Sequence, residues 1–228
     1  MGPAWVLFQV IIYLGMFVAI RTFLNVPSDD KPYPIFAAVA LVPWTFFLSS
    51  VTRAGGSAIT NGSIIKKMPV QTEIFPLSSV CVSFIDLLFA SSVVLVLAIW
   101  YELNINWTIV FLPLILLILA TTAFGVSLIV GAVGVYRRDI IIVLPYVMQI
   151  WMLMSPIMYP LSSVPKEWHW LYGLNPIVGI IEGCRAVLLW GRIPNFELLG
   201  MSALGALIIL AIAWPVHRTL SRYFADVL

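Results

Sequence analysis

Long apolar runs separated by short polar breaks organise this chain. The first run, residues 3–23, ends in NVPSDDKPYP, whose prolines and paired aspartates stop a helix and favour water. A second run covers 35–51 and contains Pro43 beside Trp44, Phe46 and Phe47. A polar stretch, 52–73, is expected to be a loop and leads to runs at 74–100 and, after YELNINW, 108–135. Past the charged triplet Arg137–Arg138–Asp139 come a run at 140–159, a more polar region at 160–196, and a last run at 198–215. About 20 helical residues cross a hydrocarbon core, so the pattern predicts an all-α polytopic membrane protein with six transmembrane helices.

Composition agrees. Of 228 residues, 62% are hydrophobic and 10% charged, with a mean hydropathy of +1.06; soluble domains carry about 25% charged residues. A net charge of +2 from scattered positives gives no sign of a nucleic-acid partner. Cys81 and Cys184 make no disulfide framework, and Cys81 reads as a small packing residue. No basic region precedes the first run, as a cleavable signal would require, so that run is expected to be retained.

The charged triplet has a first explanation in length. One helix through 108–159 would be about 75 Å long at 1.5 Å per residue, against a core of about 30 Å. The chain must turn there, and charge holds the turn in water. With six spans both termini share a side, which receives Arg53, Lys66, Lys67, Arg137, Arg138, Arg218 and Arg222. Arg21, Lys31, Lys166, Arg185 and Arg192 fall opposite. The excess of positives makes the first side cytoplasmic.

Catalytic chemistry finds little support. GGSAITNGSIIKK lacks the GxxxxGK[ST] spacing of a phosphate loop. His169 and His217 fall on opposite sides as isolated interfacial residues, giving no metal site. The acids sit in separate loops, with no triad and no carboxylate pair. Asp86 is the acid deepest in a span, sharing a helical face with Ser79 and Ser83. That face suits either a polar contact between helices or the wall of a hydrated path. Boundary aromatics, including Trp100, Trp107, Trp168, Trp170 and Tyr172, fit interfacial belts; Tyr146, Gln149 and Trp151 lie deeper and, with Phe47, are candidates for lining a glycan path.

The segment 176–190 is too short for an ordinary span and carries Glu182 and Arg185 at a spacing that pairs on one helix face. Asn175 suits its N-cap and Pro176 its first turn. With PKEWHWLYG before it, this region reads as a short re-entrant helical hairpin on the outer side, or as a loop folded on the surface. At the other membrane face, AITNGSIIKKMPV offers Ile64, Ile65, Lys66 and Lys67 before a proline stop, as a docking element or a short interfacial helix.

In order, GPAWVLFQ, VPWTFFLSSVTRAGGSAITNGSIIKK, VYRRDI, PYVMQIWMLMSPIMYPLSSVPKEWHWLYGLNPIVGIIEG and the terminal RYFADVL span nearly the whole chain. They resemble the membrane (permease) subunit of type-2 ABC exporters of polysaccharides, the group serving O-antigen, teichoic acid and capsule polymers. The resemblance implies a single permease domain over 1–228 in a bacterial cytoplasmic membrane, acting as a homodimer on two ABC ATPase subunits. It implies a lipid-linked glycan substrate, no enzymatic activity, and no cofactor on this chain, with ATP and Mg on the partner ATPase. Asn61, Ile64, Ile65, Lys66, Lys67 and Pro69 would couple to the ATPase, and Tyr136, Arg137, Arg138 and Asp139 would stand at the cytoplasmic mouth. Phe47, Asp86, Tyr146, Gln149 and Trp151 are the candidate path residues; Trp168, Trp170, Tyr172, Glu182 and Arg185 are candidates for an outer gate. The family's basic amphipathic segment before the first span is expected to be missing, since GPAWVLFQ follows Met1 directly. A drug or lipid exporter of the same architecture is the alternative; a membrane enzyme acting on lipid-linked sugars, or a passive channel, fits less well.

Overall fold

The computed structural model describes residues 4–25, 27–68, 70–103 and 106–227. Pro3, at the head of the first predicted span, and Pro69, in the expected coupling loop, lie outside them. The described residues form helices and no strands: α1 (Ala4–Leu24), α2 (Tyr33–Thr60), α3 (Gly62–Lys67), α4 (Ile74–Trp100), α5 (Leu112–Tyr136), α6 (Asp139–Leu153), α7 (His169–Gly173), α8 (Pro176–Leu188), α9 (Phe196–Ser221) and α10 (Phe224–Val227). Five helices among these residues are long and apolar enough to cross a membrane: α1, α2, α4, α5 with its 3-10 lead-in from Trp107, and α9.

α2 is the pillar of the molecule. A helix apolar on every side has no face for water and belongs at the centre; α2 is buried along most of its length and packs against α1, α4, α5, α6 and α8. Its sequence explains why it runs on to Thr60 although the apolar run ends at Val51. Hydroxyl side chains return their protons to the helix's own carbonyls, Thr52 to Leu48 (2.7 Å) and Thr60 to Gly56 (3.0 Å), so polarity there does not break the helix. The polar stretch expected to be a loop from Thr52 is therefore helical for its first nine residues. α9 likewise extends past the expected Pro215 to Ser221.

The run at 140–159 departs most from expectation. Its helix, α6, holds 15 residues and is followed by turns at Met154–Tyr159. Pro156 is the physical reason: proline donates no N–H and pushes the residue before it out of the helical region.

The helix ends gather into two sets. At one, here the basic end, Tyr136 donates from its hydroxyl to the carbonyl of Leu220 (2.8 Å), and α3 packs against α10. At the opposite end Tyr33 donates to the carbonyl of Met158 (3.0 Å) and Ser162 to Asp29 (2.9 Å). Near the basic end α2 and α5 approach closely through Gly55 and Gly134; a Cβ on Gly134 would collide with the carbonyl oxygen of Gly55. Gly134→Val is expected to cost about 1–3 kcal/mol, the usual toll of overpacking. Gly15→Ala on α1, with no neighbour within 4 Å, is its control and should unfold no earlier than the parent. Thermal unfolding in detergent reads both.

Candidate functional site

Three polar assemblies interrupt this apolar fold. The first lies at the basic end. α3 packs half-buried Ile65 against a small core formed by Ala58, Ala132, Val135 and Phe224, and its first residue, Gly62, is buried. It leaves Ile64, Lys66, Lys67 and the following Met68 exposed. Asn61 joins α2 to α3, its amide donating to the carbonyl of Ser57 (2.8 Å). Arg137 and Arg138 are exposed in the turn between α5 and α6 and Asp139 is exposed as the first residue of α6, at the same end as α3 and beside Tyr136. His217, expected at an interface, is instead buried. It bridges the hydroxyl of Thr72 (3.1 Å) and the carbonyl of Leu128 (3.0 Å), and its ring stands edge-on to Phe224. Nothing near it in sequence betrays this role, because both polar partners lie more than 80 residues away.

The second assembly is the ion pair Arg53–Asp86, joining α2 to α4. Asp86 is largely enclosed while the guanidinium remains substantially open. A groove of about 340 Å³ begins at Arg53 and runs towards the basic end along Thr52, Ser57, Thr60, Asn61, Ser78 and Ser79. Arg53 was absent from the sequence-derived candidates. The sequence hid it: Arg53 falls in the polar stretch after the second run, and lies within α2 because that helix runs on to Thr60.

The third lies near the opposite end, around Arg185. Asn175 caps α8 as its type suggests, its side-chain oxygen accepting from the Ile177 N–H (3.1 Å), with Pro176 in the first turn. The same oxygen accepts from the Trp151 indole (3.1 Å), and the Asn175 amide donates to Ser155 (2.9 Å). Arg185 is 0% exposed. It donates to Glu182 (2.9 Å) and to the carbonyls of Ile157 (2.9 Å) and Tyr159 (3.4 Å), and lies 3.7 Å above the Phe36 ring. Tyr172 and Tyr159 share a hydrogen bond of 2.8 Å, whereas Trp168 and Trp170 are exposed.

The candidate path residues do not converge on one surface. Tyr146 and Gln149 are exposed on α6, whereas Phe47 is closed into the core, edge-on to Trp151 at 5.1 Å and next to Trp44. Phe47 therefore supports Trp151 rather than lining an open surface in this subunit. Asp86 stands apart from both, on α4. Cys81, expected to be a packing residue, is exposed on α4. Among the described residues no group of His, Cys, Asp and Glu gathers with metal-binding geometry.

Comparison with known proteins places these assemblies in context. The chain is 25% identical to the O-antigen export system permease protein RfbA of Myxococcus xanthus, over 99% of its own length and 87% of that protein's. It is 26% identical to the protein of the same name from Klebsiella pneumoniae, over 97% and 83% of the two chains. With the polysialic acid transport protein KpsM of Escherichia coli it shares 28% identity, over 96% and 86%. The sequence pattern of the ABC-2 type transporter family matches residues 1–189, most of the chain, and the protein therefore belongs to that family.

Proposed function

We propose that this chain is the permease subunit of an ATP-driven exporter that moves a polysaccharide, carried on a lipid, across a bacterial inner membrane. The observation that carries the reading is similarity along the whole chain to permeases named for O-antigen and polysialic acid export. The chain serves as the membrane path, and a separate ABC ATPase hydrolyses ATP.

On this reading the basic end is cytoplasmic, both termini face inward, and α3 enters the ATPase. α6 together with 154–159 completes a sixth crossing, and α7 with α8 forms a re-entrant hairpin below the outer surface. Two features support that hairpin. α8 has 13 residues, about 20 Å, too few to span; and it is buried among α2, α5 and α9 instead of lying on the surface. Two copies enclose the path, and the exposed apolar row of α6, including Ile142, Tyr146 and Ile150, faces lipid or the second copy.

Deletion of the gene is expected to abolish surface polysaccharide, with restoration by this chain only when its ATPase is present and catalytically intact. The two subunits are expected to co-purify from detergent. Normal surface polysaccharide in the deletion strain, together with altered drug susceptibility or lipid asymmetry, would assign the chain to a drug or lipid exporter instead.

A further inference from the structure

The groove beside the Arg53–Asp86 pair has a hydrogen-bonding polarity that selects a ligand class. Thr52, Ser57 and Thr60 donate to the carbonyls of Leu48, Ala54 and Gly56, and Ser78 and Ser79 both donate to that of Phe75. The Asn61 amide is likewise engaged as a donor, to Ser57. Each hydroxyl has one proton and two lone pairs. With the protons turned inward, the hydroxyls offer acceptors, beside the donors of Arg53 and the second N–H of Asn61 and the apolar Val82 and Ile141. A lining with many acceptors and a few donors suits a ligand made of O–H groups, each of which both donates and accepts.

Arg53 lines the groove and brings donors, while Asp86, outside the lining, pairs with it and offsets its charge. A carboxylate about 18 Å along α4 from Ile74 is costly to keep in a membrane. Ser83, between Ser79 and Asp86 on the same helical face, buries a hydroxyl oxygen with no protein partner. The volume falls within the usual range of small-ligand sites, about 300–1,000 Å³.

We propose that this groove is a carbohydrate subsite, where Arg53, held in place by Asp86, donates to a sugar hydroxyl and the α2 and α4 hydroxyls accept from its neighbours. The assignment rests on the polysaccharide-export reading and locates where a sugar unit first meets the protein after leaving the basic end.

Accessibility of cysteines placed in the groove tests it. Ser57→Cys and Ser78→Cys are made separately in a Cys81→Ser, Cys184→Ser chain, co-expressed with its ATPase. Inside-out vesicles depleted of ATP are treated with a charged, membrane-impermeant maleimide. They come from cells making the lipid-linked glycan, or from cells blocked at its first sugar transfer. Labelling is expected in vesicles lacking glycan and severalfold slower in those containing it. Asp86→Asn should remove that protection. Equal labelling with and without glycan overturns the subsite, and so does absence of labelling in both, which would mean a dry groove. Either result leaves the export function standing, because that depends separately on loss of surface polysaccharide upon deletion. Should one cysteine variant fail to insert, the other carries the same readout.

Discussion

Arg185→Leu is expected to remove most of the folded protein from the membrane. The guanidinium is fully enclosed, and it satisfies Glu182 and two carbonyls in the turn after α6 while lying on Phe36. Leucine leaves the Glu182 carboxylate and those carbonyls without a donor, and breaking a buried pair in this way costs about 3–5 kcal/mol. For a chain of this size that corresponds to a fall of the order of 10 °C in apparent melting temperature. Arg185→Lys retains the charge but not the planar fork that reaches several acceptors, so it should fall between the two. Glu182→Leu combined with Arg185→Leu should recover part of the loss, because an apolar pair leaves no stranded carboxylate. Fluorescence-detected unfolding of the purified chain measures all three. A melting temperature for Arg185→Leu within a degree or two of the parent would mean that α8 is held by apolar packing alone.

Lys66→Glu with Lys67→Glu should produce the opposite profile, with normal protein and failed transport. α3 is anchored from below by Ile65, while both lysines are exposed. Exposed substitutions usually shift stability by less than about 0.5 kcal/mol, so the chain should still reach the membrane. If α3 meets an acidic surface on the ATPase, reversing two charges loses at least about 1.4 kcal/mol of coupling, a factor of ten in association. The expected readings are unchanged chain abundance, little co-purified ATPase and loss of surface polysaccharide. Ile65→Asp supplies the contrast, since it strikes the packing beneath α3 and should lower abundance as well. Normal ATPase capture by the double-glutamate variant would move the docking surface elsewhere on the basic end.

Much of the fold is legible in hydropathy because membrane length and helix length nearly coincide. The predicted run 74–100 and helix α4 share both boundaries, and the Asn175–Pro176 start of α8 follows from local backbone chemistry alone. Where the two lengths diverge, the reading fails for a stated reason. α2 outlasts its apolar run because its hydroxyls bond within the helix, and α6 stops short because Pro156 ends it before apolarity does. Polar assemblies are harder to read, since their members come from distant segments. Glu182–Arg185 is visible as an i, i+3 spacing, whereas Arg53–Asp86 spans 33 residues and His217 finds its partners on α5 and before α4. Phe47 misled because an aromatic residue in an apolar run carries no mark of which side it presents.

The length of α2 has a mechanical consequence. Twenty-eight residues make a rod of about 42 Å, longer than the hydrocarbon core by about 12 Å. Pro43 withholds the N–H that would tie it to Val39, leaving a weak joint some 25 Å from Thr60. A tilt of about 10° at that joint swings Thr60 sideways by about 4 Å. Arg53 travels with the same arm, by proportionately less. If α3 docks on the ATPase as proposed, a push there would move the Thr60 end of the groove most and its Arg53 end least, as a graded shear between α2 and α4.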